Sequence, residues 1–596
     1  IEAGIQALRN PPMQEGYISA SEAIYHLLTL GKSLEQSIEG DKKSFTLQYI
    51  DWKRPERNVF HVCEEYSTMR STSKDHYRPD IVLFVNGIPL SIIECKRPDT
   101  KDPLKQAISQ HLRNQQESGI RKLYVYAQTV LSMATDQAAY ATNGTTEKFW
   151  AQWQEKFESE TEEHAWRQKL LELRNSSLAN AQKDKLFADR FKYVRQHFDA
   201  LEEAQILPTL QDEYLWGLCE PQRLLELIFN FILFDDGAKK VARYQQYFAI
   251  KKTARRIHHI EQGRRKGGVI WHTQGSGKSL TMVMLAQAIA MDPSILNPKI
   301  ILVTDRVDLD HQITTTFRKC GKLVENASNG QRLVQLLQSK SDAVVTTIIN
   351  KFEAAVRKMK PLPSQDIFVL VDEGHRTQYG TFNIEMQKTL PHACFIALTG
   401  TPLFTRDKST AAKFGGIIDS YTVDQAVADK AVVPLLYEGR HALQKVNEGP
   451  IDTYFSMVSE PLNPYEKADL KKKFSRADQL NIADQKIYAI CWDISKHYRD
   501  NWQGQTPFKG QLVCQTKAAA VKYTQYMDDI GLVSTELLIS PPDDREGEDS
   551  AYTESSDKVK AFWNGKMDEH GNGKKYEKNV ISRFKNQPEP EIIIVV

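Results

Sequence analysis

Short apolar runs separated by helical segments recur along the chain from residue 267 onward. They are GGVIWHT, KIILVTD, AVVTTII, DIFVLVDE and CFIALTGT. Strands buried on both faces give continuous apolar runs, and their alternation with helices is typical of a parallel sheet between helical layers. A second set follows after about residue 440, in GQLVCQT, GLVSTELLIS and EIIIVV. The pattern therefore predicts two parallel α/β domains in this part of the chain.

The first 220 residues have a different pattern. Residues 1–130 alternate predicted strands, at 81–85, 90–95 and 122–127, with helical stretches. Residues 145–220 place apolar side chains at helical spacing within dense charge, which predicts amphipathic helices. The polar, glycine-containing stretch 540–580 predicts a long loop. We therefore expect an α/β multidomain protein, with a first domain and helical extension at 1–215 and two further domains at 216–440 and 441–596.

Composition excludes little beyond a membrane protein. The 596 residues are 41% hydrophobic and 26% charged, with a net charge of +2, so only local patches can argue for nucleic acid. The apolar run at 224–234 is too short to cross a bilayer. Seven scattered cysteines without a CxxC pair fit a reducing cytosol. The basic run at 251–266 fits a solvated helix face and a DNA-binding surface equally well.

The stretch GGVIWHTQGSGKSLTM combines a strand, a glycine-rich turn and a helix start. Glycines let such a turn present its N–H groups to phosphate, while the lysine contacts the β- and γ-phosphates and the serine binds Mg²⁺. The usual first glycine of the motif is replaced by His272. The candidate nucleotide-binding residues of this turn are Thr273, Gly275, Ser276, Gly277, Lys278 and Ser279.

An acidic pair follows the apolar strand in FVLVDEGH. Side chains at the carboxyl ends of parallel strands meet at the ligand-binding edge of the sheet. Asp372 is therefore a candidate Mg²⁺ ligand, and Glu373 is a candidate for polarising the attacking water. A helix N-cap would explain such a pair in isolation, but its position after the glycine-rich turn favours a shared nucleotide site.

The flanking motifs occur in a familiar order. RYQQYFAI (243–250) precedes the turn, and LVTDRVDLDHQ (302–312) and ALTGTP (397–402) follow it. Together they resemble a superfamily 2 helicase or translocase with RecA-like domains. The resemblance implies that Arg243 and Gln246 bind ATP, with Gln246 on the adenine, and that Thr399 and Thr401 couple nucleotide state to DNA. It also implies that 302–312 and 346–352 contact the phosphate backbone.

Charges also interrupt the apolar hairpin RPDIVLFVNGIPLSIIECKRP. Asp80 followed by Glu94-x-Lys96 matches the PD-(D/E)xK pattern, and strand alternation puts Glu94 and Lys96 on one face. Two carboxylates and the Cys95 carbonyl offer oxygen ligands to Mg²⁺, and the lysine can stabilise developing charge. Spacing alone favours an ordinary surface hairpin, but the apolar flanks and the predicted helix DPLKQAISQHLRNQ favour a buried site.

The register of this hairpin decides whether the carboxylates can meet. A strict two-residue turn at Asn86-Gly87 gives partners that sum to 173, which places Asp80 and Glu94 on opposite faces. A shared metal requires an even sum and hence one extra residue. We therefore predict a bulged or longer turn at 86–89.

NGIPLSIIECKRP, followed in order by the motor motifs, resembles the motor subunit of type I restriction enzymes over nearly the whole chain. The resemblance implies a PD-(D/E)xK nuclease fold followed by two RecA-like domains, with Asp80, Glu94 and Lys96 as the cleavage triad. It implies ATP and Mg²⁺ as cofactors, translocation and cutting of double-stranded DNA, methyltransferase and specificity subunits as partners, and a prokaryotic cytoplasm. The family's Gln-x-x-x-Tyr motif fits Gln110, but its tyrosine position holds Asn114.

Two alternatives remain open at this stage. One is another helicase–nuclease fusion, such as a type III restriction subunit or a repair enzyme, although type III subunits usually place the nuclease after the motor. The other is a non-cutting ATP-dependent DNA remodeller. The terminal PEIIIVV resembles the strand before helicase motif V. We therefore expect a truncated second motor domain and weak ATP hydrolysis without the family's later arginine.

Overall fold

The computed structural model describes two compact units, 1–434 and 435–596. The described residues are 2–38, 41–304, 314–315, 317–318, 323–327, 329–339, 344–348, 351–352, 360–372, 388–401, 414–440, 453, 455–457, 459–468, 484–504, 508–542 and 553–596. The predicted boundaries at 215 and 440 stay predictions. None of the helices in these ranges has the length and apolarity that crossing a bilayer requires.

A mixed five-stranded sheet forms the centre of the N-terminal region. Its strands, in spatial order, are Phe60–Glu64, Ile81–Val85, Ile88–Cys95, Thr129–Met133 and Ala138–Ala141. The third and fourth strands are parallel and the other neighbours are antiparallel. Smaller hairpins pair Lys32–Ile38 with Asp41–Leu47 and Thr68–Met69 with His76–Tyr77.

Helices surround this sheet, and one of them replaces a predicted strand. They are Glu2–Arg9, Tyr17–Leu30, Pro103–Asn114 and Arg121–Tyr124, with short 3₁₀ turns at Met13–Glu15, Pro55–Arg57 and Glu147–Phe149. The strand predicted at 122–127 is wrong, because this run contains a helix and the strand follows at Thr129–Met133. Leu123, Tyr124 and Ala127 enter one hydrophobic cluster at helical spacing. Short apolar runs fit either element, and packing decides between them.

The amphipathic helices predicted for 145–220 are confirmed in type. They span Glu160–Arg174, Asn180–Leu186, Lys192–Glu203 and Leu210–Cys219, and Pro221–Asn230 follows them. A hairpin of Ile232–Asp235 and Ala238–Val241 leads into the helix Tyr244–Ile257, and a second short hairpin pairs Ile260–Glu261 with Arg264–Arg265.

A seven-stranded parallel sheet follows, as the apolar runs predict. Its spatial order is Val324–Asn326, Val344–Ile348, Lys299–Thr304, Ile367–Asp372, Cys394–Thr399, Gly268–His272 and Ile417–Tyr421. Its described helices include Lys278–Ala290, Gly330–Gln338 and Val423–Ala428. One hydrophobic cluster contains Ile93 of the N-terminal sheet, Tyr247 of the intervening helix and Ile270 of this sheet. The two sheets therefore share a core within the first unit.

The second unit contains a three-stranded parallel sheet in the order Gly510–Val513, Ile592–Val595 and Thr535–Leu538. Its long helices are Asp484–Asn501, Lys517–Ile530, Thr553–His570 and Gly573–Asn586. The long loop predicted at 540–580 is therefore wrong from residue 553, while 543–552 lie outside the described residues. Trp563, Tyr576 and Val580 explain the difference, because they pack in a hydrophobic cluster with Ile593 of the sheet.

Lys239 is buried behind the N-terminal sheet, with 3% of its surface exposed. Its Nζ lies 2.7 Å from Gln128 Oε1, 3.1 Å from Ser21 Oγ and 3.2 Å from the Ala127 carbonyl oxygen. Burial lowers the pKa of Lys239 well below its ordinary value of 10.5. The folded chain therefore holds this amine neutral over a pH range in which the unfolded chain protonates it.

Replacing Lys239 with Met is expected to remove a pH dependence of folding stability. The unfolded wild type binds one proton more, so its stability rises with pH towards 10.5, by up to about 1.4 kcal/mol per pH unit. Urea unfolding of both chains at about pH 7 and about pH 9.5 measures the effect. The stability of wild type relative to K239M should increase with pH, and a constant difference would contradict a neutral buried amine.

Candidate functional site

The carboxylate hairpin has the even register that a shared site requires. Ile81 pairs with Ile93, Val82 with Ile92 and Leu83 with Ser91, each summing to 174. Asp80, one residue before this ladder, is therefore level with Glu94 and on the same face of the sheet. The prediction of one extra residue is confirmed.

The position predicted for the extra residue is wrong. Val85 pairs with Ile88 across a two-residue Asn86-Gly87 turn, and the register shifts between Leu83 and Phe84. Leu90 is the residue left over, and it is fully buried. Asn86 and Gly87 have φ of 51° and 80°, as a tight type I′ turn demands. The bulge therefore lies inside the strand and leaves the turn regular.

Asp80 and Lys96 are tied together at the edge of this site. The Cys95 N–H donates to Asp80 Oδ2 at 2.6 Å, and Lys96 Nζ lies 3.8 Å from the same oxygen. Lys96 Nζ also donates to the Cys95 carbonyl at 3.1 Å. The three predicted residues are thus brought together, and the carbonyl proposed as a metal ligand lies beside them.

Glu94 is fully buried and its two oxygens are held by one helix. Gln110 Nε2 donates to Oε2 at 2.5 Å, and Asn114 Nδ2 donates to Oε1 at 3.1 Å. Both amides project from Pro103–Asn114 one helical turn apart, so they meet the same carboxylate. The sequence interpretation left Asn114 without a role. The i, i+4 spacing of these two amides, on the helix that follows the strand, is the feature of the sequence that could have predicted this role for Asn114.

Burial and the charge of Asp80 together raise the pKa of Glu94 to about 9. Two carboxylates this close repel one another, and an oxygen-seeking divalent cation would relieve that repulsion. Ser132 pairs with Glu94 in the parallel register, and its buried hydroxyl has no hydrogen-bond partner among the described residues. The described residues contain no group of three or more His, Cys, Asp or Glu side chains that could hold a metal. Mg²⁺ is commonly held by only one or two carboxylates and keeps several waters, so Asp80 and Glu94 are a sufficient donor set for it.

His111 supports the helix from behind without reaching the carboxylates. Its Nδ1 lies 2.8 Å from the Tyr124 hydroxyl, and its Nε2 lies 2.9 Å from the Leu131 carbonyl. Burial lowers the pKa of His111 to about 4, so the ring is neutral at pH 7. This histidine fastens Pro103–Asn114 to the neighbouring strand and so fixes the amides on Glu94.

The glycine-rich turn has the backbone that phosphate binding needs. It joins the strand Gly268–His272 to the helix Lys278–Ala290, and Gly275 and Gly277 have φ of 83° and 87°. The positive φ of Gly277 favours glycine, and a side chain there would begin 2.8 Å from Gln246 Nε2 and displace that amide. Thr273 and Ser276 are buried, and the Ser276 hydroxyl has no partner among the described residues. Ser279 occupies the first turn of the helix.

Gln246 braces this turn from the preceding helix. Its Oε1 accepts from the Arg243 N–H at 2.9 Å, and its Nε2 donates to the Gly277 carbonyl at 3.2 Å. Arg243 lines a cavity of about 170 Å³ together with Lys148, Tyr244 and Tyr421. The structure thus places Gln246 against the turn, and the ATP contacts of Arg243 and Gln246 stay predictions.

The other predicted motor residues meet the turn at the same sheet edge. Asp372 ends its strand opposite Leu398, and Thr399 is level with Trp271 of the turn's own strand. Lys278 Nζ lies 2.7 Å from the point where a side chain at Gly400 would begin. The Thr401 N–H donates to Thr399 Oγ1 at 3.2 Å. Glu373 and most of 302–312 lie outside the described residues.

The basic run at 251–266 makes ion pairs and hydrogen bonds within the protein, and its contact with DNA stays a prediction. Arg265 pairs with Asp366 at 2.9 Å and lies almost fully buried. The remaining partners are Glu226 for Lys251, Asp419 for Lys252, Glu158 for Arg255, the Gly267 and Gly415 carbonyls for Arg256, the Ala393 carbonyl for Arg264 and Glu261 for Lys266. These charges hold the helix and hairpin in place.

Comparison with known proteins identifies both regions. Residues 4–156 match the model described as type I restriction enzyme R protein N terminus, and residues 245–468 match the SWI2/SNF2 ATPase model. A solved fragment assigned to the HsdR subunit of a type I restriction enzyme from Vibrio vulnificus is 13% identical, with a TM-score of 0.36. That match covers 90% of this chain and 78% of the other.

Curated relatives extend across both regions. A Methanocaldococcus jannaschii protein, assigned as the MjaIXP endonuclease subunit of a type I restriction enzyme, is 28% identical over 516 residues, covering 84% of this chain and 46% of that protein. The type I restriction enzyme HindI endonuclease subunit of Haemophilus influenzae is 28% identical over 507 residues, covering 80% of this chain and 43% of that protein. The chain spans less than half the length of these relatives. By these matches the chain is similar to type I restriction enzyme R subunits, and it carries a region that matches a helicase-like ATPase.

Proposed function

We propose that this chain contains the cutting and motor sites of a type I restriction enzyme, which translocates double-stranded DNA with ATP and cleaves it with Mg²⁺. The observation that carries the proposal is the meeting of Asp80, Glu94 and Lys96 on one sheet face, in the same compact unit as the glycine-rich turn. No observation favours a type III enzyme, a repair enzyme or a non-cutting remodeller over this assignment.

In the cutting site, Asp80, Glu94 and the Cys95 carbonyl would hold Mg²⁺. When bound, Mg²⁺ supplies the charge that polarises a phosphodiester and acidifies a water. Lys96 stands beside Asp80 and offers a cation to the charge that develops on the phosphate. Gln110 and Asn114 each hold one Glu94 oxygen, so the carboxylate cannot rotate away from its neighbours.

In the motor site, ATP supplies the free energy of translocation when bound. Gly275 and Gly277 let the turn direct its N–H groups to phosphate, beside the N-terminus of Lys278–Ala290. Lys278 would contact the terminal phosphates, with Ser279 and Asp372 holding a second Mg²⁺. Arg243, Gln246, Thr273 and Ser276 would also contact ATP, with Gln246 on the adenine. Glu373 would polarise the attacking water, and Thr399 and Thr401 would couple the nucleotide state to DNA.

The proposed partners are duplex DNA and the methyltransferase and specificity subunits of a restriction–modification complex. The similarity to the curated relatives supports them, since these are named as endonuclease subunits of type I restriction enzymes. Sequence recognition would then lie in the specificity subunit. Contacts of 302–312 and 346–352 with the phosphate backbone remain part of this proposal.

Replacing Asp80 with Ala tests the assignment in the assembled full-length complex. Because this change removes one proposed metal ligand, DNA cutting should fall by at least about 10²-fold. ATP-driven translocation should persist, because Asp80 lies outside the motor site. Cutting is read from conversion of circular plasmid, and translocation from displacement of a DNA triplex. Unchanged cutting would exclude this nuclease site, whereas a wild-type complex with no cutting would exclude the proposed function itself.

A further inference from the structure

A segment just after the N-terminal sheet runs onto the helix that braces the glycine-rich turn. We call residues 151–158 the strap. Ala151 exchanges two backbone hydrogen bonds of 2.9 Å with Tyr140 of the edge strand. The Trp153 ring packs 5.4 Å from the ring of Tyr247, and Glu158 pairs with Arg255 at 2.8 Å. The strap therefore joins the cutting-site sheet to the helix Tyr244–Ile257.

A buried ion cluster links the strap to the glycine-rich turn of the proposed nucleotide site. Asp419 is only 4% exposed and forms two ion pairs. Lys156 Nζ of the strap lies 3.1 Å from its Oδ2, and Lys252 Nζ lies 2.8 Å from its Oδ1. His272 Nε2 lies 3.0 Å from Oδ2. Burial alone would raise the pKa of Asp419, but hydrogen bonding from His272 and the charge of Lys156 lower it to about 2. The carboxylate therefore stays ionised.

His272 is the residue that departs from the common phosphate-loop motif, and the cluster explains it. It is fully buried and directly precedes Thr273, whose N–H donates to the Tyr421 carbonyl at 3.0 Å. Burial lowers the pKa of His272, so the neutral ring donates its Nε2–H to Asp419. Asp419 and Tyr421 of the Ile417–Tyr421 strand thus fix the start of the turn, the first through its side chain and the second through its backbone carbonyl.

We propose that Asp419 positions the glycine-rich turn through His272, and that Lys156 of the strap makes this position depend on the cutting-site sheet. The proposal rests on the two sites proposed above and adds a connection between them. The connection is a continuous path of contacts. It runs from the strand that carries Glu94 through the strands Thr129–Met133 and Ala138–Ala141 to the strap, and from the strap through Asp419 to the glycine-rich turn. Nucleotide binding would then alter the strap, and the strap would set how many cuts follow from a given amount of ATP hydrolysis.

Lys156→Met is the informative variant. It removes the lysine that the strap contributes and leaves Asp419 paired with Lys252 and hydrogen-bonded by the neutral His272 ring, whereas a change at Asp419 would leave two lysines unpaired and threaten folding. Lys252→Met is the matched control, since it removes the other lysine from the same carboxylate but leaves the strap attached. Both variants are made in the full-length chain and assembled into the complex.

Two measurements separate coupling from simple support. Hydrogen exchange of residues 151–158 is followed with and without a non-hydrolysable ATP analogue and Mg²⁺, and cuts per ATP hydrolysed are counted in the complex. In wild type and K252M the analogue should change strap exchange. In K156M this response should vanish and cuts per ATP should fall at least about fivefold, while analogue affinity stays within about threefold.

Equal exchange responses and equal cuts per ATP in K156M and wild type would overturn the connection. Loss of the response in K252M as well would also overturn it, because general loosening of Asp419 would then suffice. Exchange and analogue binding need no cutting activity. The connection can thus fail while the two sites stand, and it can be tested even if cutting is absent.

Discussion

Replacing Glu94 with Gln is expected to abolish DNA cutting and to stabilise the metal-free chain. The variant loses a proposed metal ligand, so cutting by the assembled complex should fall by about 10²–10³-fold. Gln is nearly isosteric and neutral, and the Gln110 amide can turn to keep its hydrogen bond. Removing a buried carboxyl that stands beside Asp80 should then raise the free energy of unfolding by about 0.5–2 kcal/mol.

The pH dependence of this gain has a definite sign. The folded chain holds the pKa of Glu94 at about 9, against 4.5 when the group is unperturbed. The folded state therefore binds the extra proton, and wild-type stability is full below about pH 4.5 and falls as pH rises towards 9. The advantage of E94Q should accordingly be larger at about pH 8.5 than at about pH 6.

Urea unfolding at both pH values, without and with Mg²⁺, checks this expectation. Added Mg²⁺ should stabilise wild type and leave E94Q nearly unchanged. The control is Asp136→Asn, which neutralises an exposed carboxylate in the turn between two strands of the same sheet. It should alter neither cutting nor stability. A destabilised E94Q without metal would mean that Glu94 contributes to the fold as an anion.

Replacing Lys278 with Ala is expected to remove ATP hydrolysis and everything that depends on it. The lysine begins the helix after the turn, and its ammonium lies against Gly400. Loss of a cation placed at the terminal phosphates should lower DNA-stimulated phosphate release by about 10²–10³-fold. Cutting that requires translocation should fall in parallel, while the N-terminal sheet keeps its stability.

The matched control is Lys266→Ala, because Lys266 pairs with Glu261 in an exposed hairpin of the same unit. Its phosphate release should stay within about twofold of wild type. Phosphate release is measured in the assembled complex with saturating duplex DNA. Hydrolysis by K278A within about threefold of wild type would remove this turn from the motor site.

The hairpin illustrates how much of the candidate site the sequence could predict. A shared metal demands that Asp80 and Glu94 lie on one face, and strand geometry converts that demand into an even register. Where the extra residue sits is a different question. Asn86-Gly87 strongly favours a regular tight turn, so the irregularity moves to Leu90, which packs with Val85 and Ile88 in the core. That choice depends on tertiary packing, which local sequence does not record.

The missed features have a similar cause. The run at 122–127 and the stretch after 553 became helices because Tyr124 and Trp563 found hydrophobic partners distant in sequence. Asn114 departs from the family's motif in sequence, and only the structure shows that its amide donates a hydrogen bond to Glu94. The glycine-rich turn, by contrast, was predictable because its function resides in backbone conformation that glycine spacing specifies directly.

The bulge at Leu90 also determines where this hairpin tolerates length change. No atom of the described residues lies within 4 Å of the point where a Gly87 side chain would begin. A peptide tag or dye-bearing loop inserted after Gly87 would therefore extend into open space and leave the carboxylates aligned. Losing a single residue between Leu83 and Glu94 would instead turn one carboxylate to the opposite face. The hairpin tip is a natural attachment point for a reporter, whereas the strand behind it must keep its length.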